Sequence, residues 1–341
     1  MVVFIIRRTL LMIPVLLGAT LLSFILVDLS NDPVAEQVFQ IQQSTGEAVP
    51  QSTVDAIESQ LYYDRSLPER YWLWLTGIGE TNGDIGLLQG EWGPSIEGTA
   101  VDIGYEISTR FWITLRLVLF ATVASIGIAI LSGVVSAVKQ YSRVDYSLTF
   151  VGFLFLAMPS FWLGSLLKEA AVQANKGLGS TVLQTYGSGT TGFQGTGWEV
   201  FVDSLPYLVV PTLVLTLAGY AAISRYQRAS MLEVMNSDYV RLARAKGVRN
   251  GTVMRRHALR TALIPVATFA PLSLAGAMGG AIVTERIFGW RGLGAYSYDA
   301  ILHGDSFAVM AYLLISGIVV LIGVLISDLL YGVLDPRIRY E

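Results

Sequence analysis

The residue types that carry most protein chemistry are scarce in this chain. Cysteine is absent, which removes a thiolate nucleophile, a Cys-ligated metal and an iron–sulfur cluster. His257 and His303 are the two histidines, and their separation in sequence gives His-based metal or triad chemistry little to start from. ATP hydrolysis on this chain would need a phosphate-binding G-x-x-x-x-G-K-[ST] loop. None of Lys139, Lys168, Lys176 or Lys246 has Gly before it and Ser or Thr after it. Energy, if used, comes from another subunit.

The side chains whose spacing does suggest work are arginines. Between Ser224 and Ala262 lie Arg225, Arg228, Arg241, Arg244, Lys246, Arg249, Arg255, Arg256 and Arg260, nine cations against Glu233 and Asp238, a formal +7. Ser237-Asp238 offers an N-cap, residues 239–246 are good helix formers, Lys246 complements the C-terminal end of the helix dipole, and Gly247 is a natural C-cap. The pattern predicts a helix of two turns or so, about 12 Å long. Tyr239, Ala243 and Gly247 fall at i, i+4 and i+8 on one face, which then carries a single ring and two nearly absent side chains. Such a face can approach a partner closely, with the arginines around it. Asn250 is expected to start a second helix that runs through Leu259 into a later apolar run. Charge alone leaves two other readings open, a cytoplasmic loop touching anionic lipid and a nucleic-acid patch.

The elements that position this loop follow from composition. The chain is 53% hydrophobic and 14% charged, with a mean hydropathy of +0.55. Soluble domains carry about 25% charged residues, so a bilayer must solvate much of this protein. Disorder, a collagen repeat and a disulfide scaffold are excluded by the apolar fraction, the aperiodic glycines and the missing cysteines. Apolar runs at residues 9–27, 113–135, 147–167, 207–223, 263–284 and 309–331 each have the length to cross about 30 Å of hydrocarbon. The expectation is an all-α polytopic membrane protein with six transmembrane helices. The first run follows Arg7 and Arg8 but exceeds a signal-peptide core, so it is read as an uncleaved helix.

Cations mark the cytoplasm. With the N-terminus inside, 15 of the 23 Lys and Arg residues fall in inner segments, seven fall outside, and Arg116 lies within a span. Both termini are therefore expected in the cytoplasm, with outer segments at 28–110, 170–206 and 285–308. Those outer pieces hold most of the 26 acids, and lysine is rare against 19 arginines, which suits a high-salt exterior and suggests a haloarchaeal source. The spans hold no central acid of the kind that couples transport to an ion gradient; Asp328 and Arg116 lie near span ends. They are instead rich in Pro159, Pro211, Pro265 and Pro271, with Gly276-x-x-x-Gly280 beside Ala275-x-x-x-Gly279, a pattern for a flexing bundle that packs closely on another.

The long inner loop resembles the one by which permease subunits of ATP-binding-cassette importers dock on their ATPases. The family's E-A-A-x-x-x-G core stands here as Arg241-Leu242-Ala243-Arg244-Ala245-Lys246-Gly247, matching at Ala243 and Gly247. DYVRLARAKG at 238–247, RHALRTALIP at 256–265, ERIFGWRGLG at 285–294 and LLYGVLDPRIRY at 329–340 look like the dipeptide/oligopeptide/nickel branch. So do Asp32-Pro33-Val34, Leu67-Pro68, Gly83-Asp84-Ile85-Gly86 and Pro159-Ser160-Phe161-Trp162-Leu163-Gly164. The chain is most similar to the first of two related permeases in that branch.

The resemblance implies a type I importer bundle at the plasma membrane, organised as an N-terminal transmembrane helix (1–28), an extracytoplasmic segment (29–110), a five-helix core (111–332) with a coupling loop at 224–262, and a cytoplasmic tail (333–341). Its implied partners are a second homologous permease, two ABC ATPase subunits, an extracytoplasmic substrate-binding protein, membrane lipid and a peptide or similar solute, with no nucleic acid. Nickel chelates and oligosaccharides are alternative cargoes. It implies a non-catalytic chain without a cofactor of its own, ATP and Mg being held by the partners. Asp238, Tyr239, Arg241, Ala243, Arg244, Lys246 and Gly247 are the expected ATPase-coupling residues. The outer stretches 60–110 and 285–308 are expected to receive the binding protein or to pack on themselves as lids. An ion-coupled transporter or channel is the rival reading.

Overall fold

The computed structural model describes residues 2–30, 32–79, 83–98 and 100–334, so Asp335 to Glu341, most of the expected tail, lie outside the described residues. The chain divides into two compact units, one of Met1–Ile113 with Gly292–Ile318, the other of Thr114–Arg291 with Val319–Glu341.

The first unit opens with α1 (Val2–Ser30), followed by α2 (Pro33–Thr45), α3 (Gln51–Gln60) and α4 (Leu67–Thr76). α2 and α4 start where local chemistry dictates. Asp32 Oδ1 accepts from the amides of Val34 and Ala35 at 3.1 and 3.0 Å, and Pro33 fills the first helical position, where no N–H is needed. At α4 the Ser66 amide and hydroxyl both donate to Glu69 Oε2, at 3.0 and 2.7 Å, and those bonds hold the Glu69 carboxyl below its ordinary pKa. α4 is fixed to α1 by rings: Phe24 meets Tyr71 edge-on at 5.6 Å and lies 6.1 Å from buried Trp74. Arg70 pairs with Asp28 and lies 3.9 Å over the Tyr63 ring. A two-residue hairpin follows, β1 (Ile85–Gly86) against β2 (Glu91–Trp92), antiparallel with Ile85 opposite Trp92.

The same unit holds the first turns of α5 (Ile103–Val138), and α13 (Leu293–His303) and the first half of α14 (Ser306–Leu334). Asp305 ties these pieces together. Its carboxyl accepts from Ser95 Oγ at 2.6 Å, the Ile96 amide at 3.2 Å and the Ala308 amide at 3.0 Å. Burial pushes its pKa up, and the three hydrogen bonds offset that only in part.

The second unit contains residues 114–138 of α5, then α6 (Arg143–Ala157), α7 (Ser160–Leu178), α8 (Gly197–Met235), α9 (Asp238–Ala245), α10 (Asn250–Thr252), a π-helical turn at Val253–Ala258, α11 (Leu259–Ala262), α12 (Ile264–Phe288) and the last half of α14. α8 is the centre, packing on α6, α7 and α12. Helices meet where a side chain is missing: a Cβ on Gly133 would lie 2.8 Å from Gln227 Cβ, one on Gly219 2.8 Å from Ser125 Oγ, and one on Gly323 2.7 Å from the Pro271 carbonyl oxygen. The expected Gly276/Gly279 stripe makes no such approach inside this chain. A Cβ there would meet nothing within 4 Å, and both glycines are exposed; the surroundings of Ala275 and Gly280 lie outside the described side chains.

By length and apolarity four helices suffice to cross a membrane, and up to six spans result if two bent pairs count as one each. One bent pair corrects the expected continuous run at 147–167: α6 and α7 meet at 109°. The cause is Pro159, which disfavours helical backbone at the residue before it, and Met158 is extended at φ −83, ψ 122. The second pair, residues 250–262 and α12, bends by 49° next to Pro265. Asn250 therefore does not start one uninterrupted helix; a short helix, a π-helical turn and a second break intervene.

One ion pair locks three helices of this unit. Arg228 on α8 donates from Nε and Nη2 to the two oxygens of buried Asp145 on α6, each at 2.8 Å; Ser136 of α5 donates to the same carboxylate, and the Tyr141 amide does so at 2.9 Å. Asp145→Ala leaves a partly exposed guanidinium without its anion and removes the acceptor for Ser136 and the Tyr141 amide, and should cost about 1–3 kcal/mol, read as a lowered melting temperature in detergent. For Asp305, the folded state keeps its proton to higher pH than an unfolded Asp. Stability should therefore fall as pH rises from the ordinary Asp range through the raised value, then level off. Asp305→Asn should flatten that slope in pH-dependent melting; parallel slopes would contradict the assignment.

Candidate functional site

The site is the stretch after α8. Its floor is a hydrophobic cluster of Ala137 on α5, Met231 and Val234 on α8, Val240 on α9, and Val253, Ala258 and Ala262 beyond it. Val240 is wholly buried. Ala243, three residues on and so on the same side of the helix, packs against the cluster, as does Val248. Burying these side chains, about 0.8 kcal/mol per CH₂, is what holds so short a helix, since two turns are marginal alone.

The ends of α9 are set by backbone geometry. Ser237 is extended at φ −70, ψ 151 and its hydroxyl donates back to the Val234 carbonyl at 2.6 Å, so the expected N-cap position is right but its side chain faces α8. Asp238 in the first turn complements the helix dipole. At the other end Gly247 adopts φ +73, its amide donates to the Arg244 carbonyl at 3.0 Å, and the Val248 amide reaches the Ala243 carbonyl at 3.2 Å. This is a Schellman closure, and the left-handed residue it needs is Gly247. The turn brings Val248 back to the same cluster that holds Ala243.

This seating divides the expected Tyr239–Ala243–Gly247 face. Ala243 is turned toward the chain's own floor, half-buried, whereas Tyr239 is 45% exposed and Leu242, absent from the sequence-based expectation, is 56% exposed. The free surface of α9 is therefore Tyr239 and Leu242, three residues apart, rimmed by Asp238, Arg241, Arg244 and Lys246, all exposed. Burial of Val240 fixes that choice. A signal was present: Val240 and Ala243 are a small apolar pair at helical spacing, while arginines flank Leu242. Arg249, Arg255, Arg256 and Arg260 extend the basic surface, and among the described residues none of these loop cations from Arg241 onward is paired with a carboxylate. α9 shares its floor with α8, and residues 250–262 lead from it to the 49° bend ahead of α12.

Fold and site together define a multi-pass helical membrane protein that displays a short amphipathic helix beyond its long apolar helices. The chain belongs to the family described as the binding-protein-dependent transport system inner membrane component, which it matches over residues 109–340. It is 36% identical over 341 residues, the full length of both chains, to the oligopeptide transport system permease protein AppB of Bacillus subtilis. It is 34% identical to the oligopeptide transport system permease protein OppB of Mycobacterium bovis, over 98% of each chain, and 33% identical to the dipeptide transport system permease protein DppB of Alkalihalophilus pseudofirmus, over 100% of each. Among solved structures, a chain of the inward-facing MetNI methionine ABC transporter aligns with a TM-score of 0.53 at 16% identity, covering 68% of this chain and 97% of that one, a likeness of fold. These relatives are bacterial, and the expected haloarchaeal source is not borne out.

Gly247 gives a local test. Gly247→Val forces a β-branched residue into left-handed backbone, a cost of roughly 1–2 kcal/mol, with no clash because nothing lies within 4 Å of the new Cβ. Exchange of the Gly247 and Val248 amides should accelerate severalfold. Gly247→Asn, which tolerates this conformation, should leave their protection near wild type.

Proposed function

We propose that this chain is a transmembrane permease subunit of an ATP-binding-cassette importer for peptides, and that α9 is the element through which partner ATPases drive it. Family membership places the chain among transport subunits that do not hydrolyse ATP themselves. The names of the full-length relatives support peptides as cargo over nickel chelates or oligosaccharides. The observation that carries the ATPase-coupling reading is the two-sidedness of α9. Val240, Ala243 and Val248 are packed inward, while Tyr239 and Leu242 stand exposed within a ring of cations.

A pair of apolar side chains on a helix without freedom to tilt is suited to a cleft in an ATPase; Arg241, Arg244 and Lys246 steer and register it against acidic rims. When the ATPases close on ATP, displacement of α9 moves its floor, and with it the ends of α8 and the 250–262 segment. The bend before α12 can absorb that displacement. In this reading both termini and the 224–262 loop are cytoplasmic, helix 1 (1–28) precedes an extracytoplasmic segment (29–110), and the core (111–332) pairs with a second homologous permease. The exposed Gly276 and Gly279 on α12 suit such close helix contact. The outer segments face an extracytoplasmic binding protein that delivers the peptide, and ATP with Mg²⁺ resides on the ATPases.

The test is ATPase activity of the assembled transporter in proteoliposomes. Leu242→Asp, which changes an exposed side chain, should leave the chain inserted and folded while reducing ATPase stimulation and peptide uptake by an order of magnitude or more, as expected for loss of an apolar interface anchor. Unaltered uptake would reject the assignment. Peptide flux through the chain with no ATPases present would favour an ion-coupled or channel mechanism.

A further inference from the structure

A cavity of about 250 Å³ opens among α5, α6 and α8 in the second unit, with Ser132, Ser136, Thr149, Ser224, Arg225 and Arg228 as its polar wall. Leu148, Phe153, Tyr220 and Ala229 supply an apolar wall. The space exists because small residues meet there: a Cβ on Gly152 would find only Ser224 Oγ, at 3.7 Å. It is far larger than a single water requires.

The two guanidiniums of the wall are not equivalent. Arg228 is committed to Asp145 by two hydrogen bonds. Arg225 lies 5.4 Å over the Phe153 ring and, among the described residues, has no carboxylate partner. The ring holds it beside the cavity. Two arginines against one aspartate leave the wall with a formal charge of +1. The hydroxyls of Ser132, Ser136, Thr149 and Ser224 already donate within the chain, so the donors left for a ligand are those of the guanidiniums. Guanidinium donors beside an open volume are the chemistry that takes a phosphate.

Depth and the second wall decide which phosphate. Ser132 and Ser136 are in the last two turns of α5, Leu148 to Phe153 lie at the start of the apolar run that begins at 147 in α6, and Arg225 lies two residues beyond the apolar run of α8 at 207–223. All three helices therefore present the cavity near one end of their apolar lengths, at the level where a bilayer carries its headgroups. The apolar wall beside the arginine asks for a ligand with an alkyl portion next to its charge. Basic pockets between transmembrane helices at this level accept anionic lipid headgroups.

We propose that this cavity binds the headgroup of an anionic phospholipid, with Arg225 as the phosphate contact. The proposal rests on the multi-pass membrane character of the chain and not on ATPase coupling, so the two can fail separately. The test is native mass spectrometry of the full-length chain purified in mild detergent and titrated with phosphatidylglycerol or phosphatidylcholine. The wild type should retain phosphatidylglycerol in preference to phosphatidylcholine. Arg225→Gln should weaken phosphatidylglycerol retention about tenfold, the scale of one charge-assisted hydrogen bond, and Arg225→Lys should keep part of it. Gly152→Leu, which fills the space without altering charge, should also lose the lipid. Equal retention of the two lipids by the wild type, or wild-type retention by Arg225→Gln, would overturn the proposal. Displacement of phosphatidylglycerol by inorganic phosphate would overturn it too, making the free anion the ligand.

Discussion

The burial of Val240 is the interaction on which the working part of this protein depends. A two-turn helix in water has too few hydrogen bonds to offset the conformational entropy of ordering it. Here the cost is met by Val240, Ala243 and Val248 packing on residues of α5, α8 and the turn at 253–258. The function proposed for the loop rests on that one-sided anchoring. A helix glued on one side has a defined opposite side, and a helix that shares its floor with α8 cannot be pushed without moving α8. Gly247 completes the arrangement, because only its left-handed backbone returns Val248 to the floor.

A second constraint comes from solvent. Backbone groups in hydrocarbon must be satisfied within the chain, so the apolar runs become helices and departures from helix need local repair. The π-helical turn at Val253–Ala258 and the 49° bend before α12 lie next to polar sequence, whereas the 109° bend at Met158 and Pro159 interrupts an apolar run. One buried acid is paired closely. Asp145 takes donors from Ser136, Tyr141 and Arg228, and so ties α5, α6 and α8 at the end from which the α9 loop departs. A bundle fixed there and bent elsewhere is able to transmit force without losing its packing.

What could be read in the sequence was local. α9 was legible to within a residue because its caps, helix formers and terminal glycine are neighbours in the chain. Its inward face was not, since the partners that bury Val240 lie as far away as Ala137. The same divide recurs throughout. Pro159 was visible but the size of the bend was set by packing; Asp145 and Arg228 are 83 residues apart and announced nothing as a pair. α2 and α4 carried readable starts, Asp32-Pro33 and Ser66-x-x-Glu69, which apolar-run counting passes over. The small-residue stripe at 275–280 was read as a face for packing on another bundle; the close approaches within this chain fall at Gly133, Gly219 and Gly323, because only three-dimensional neighbours decide which glycine is needed.

The absence of cysteine makes the central claim directly measurable. Single cysteines at Leu242 and Ala243 can be introduced into the assembled transporter and challenged with a short thiol-to-amine cross-linker. The account expects Leu242→Cys to form adducts with the ATPase subunits and Ala243→Cys, held against its own floor, to form few. Adducts from Ala243→Cys with none from Leu242→Cys would mean that the other side of α9 meets the ATPase, and would contradict it.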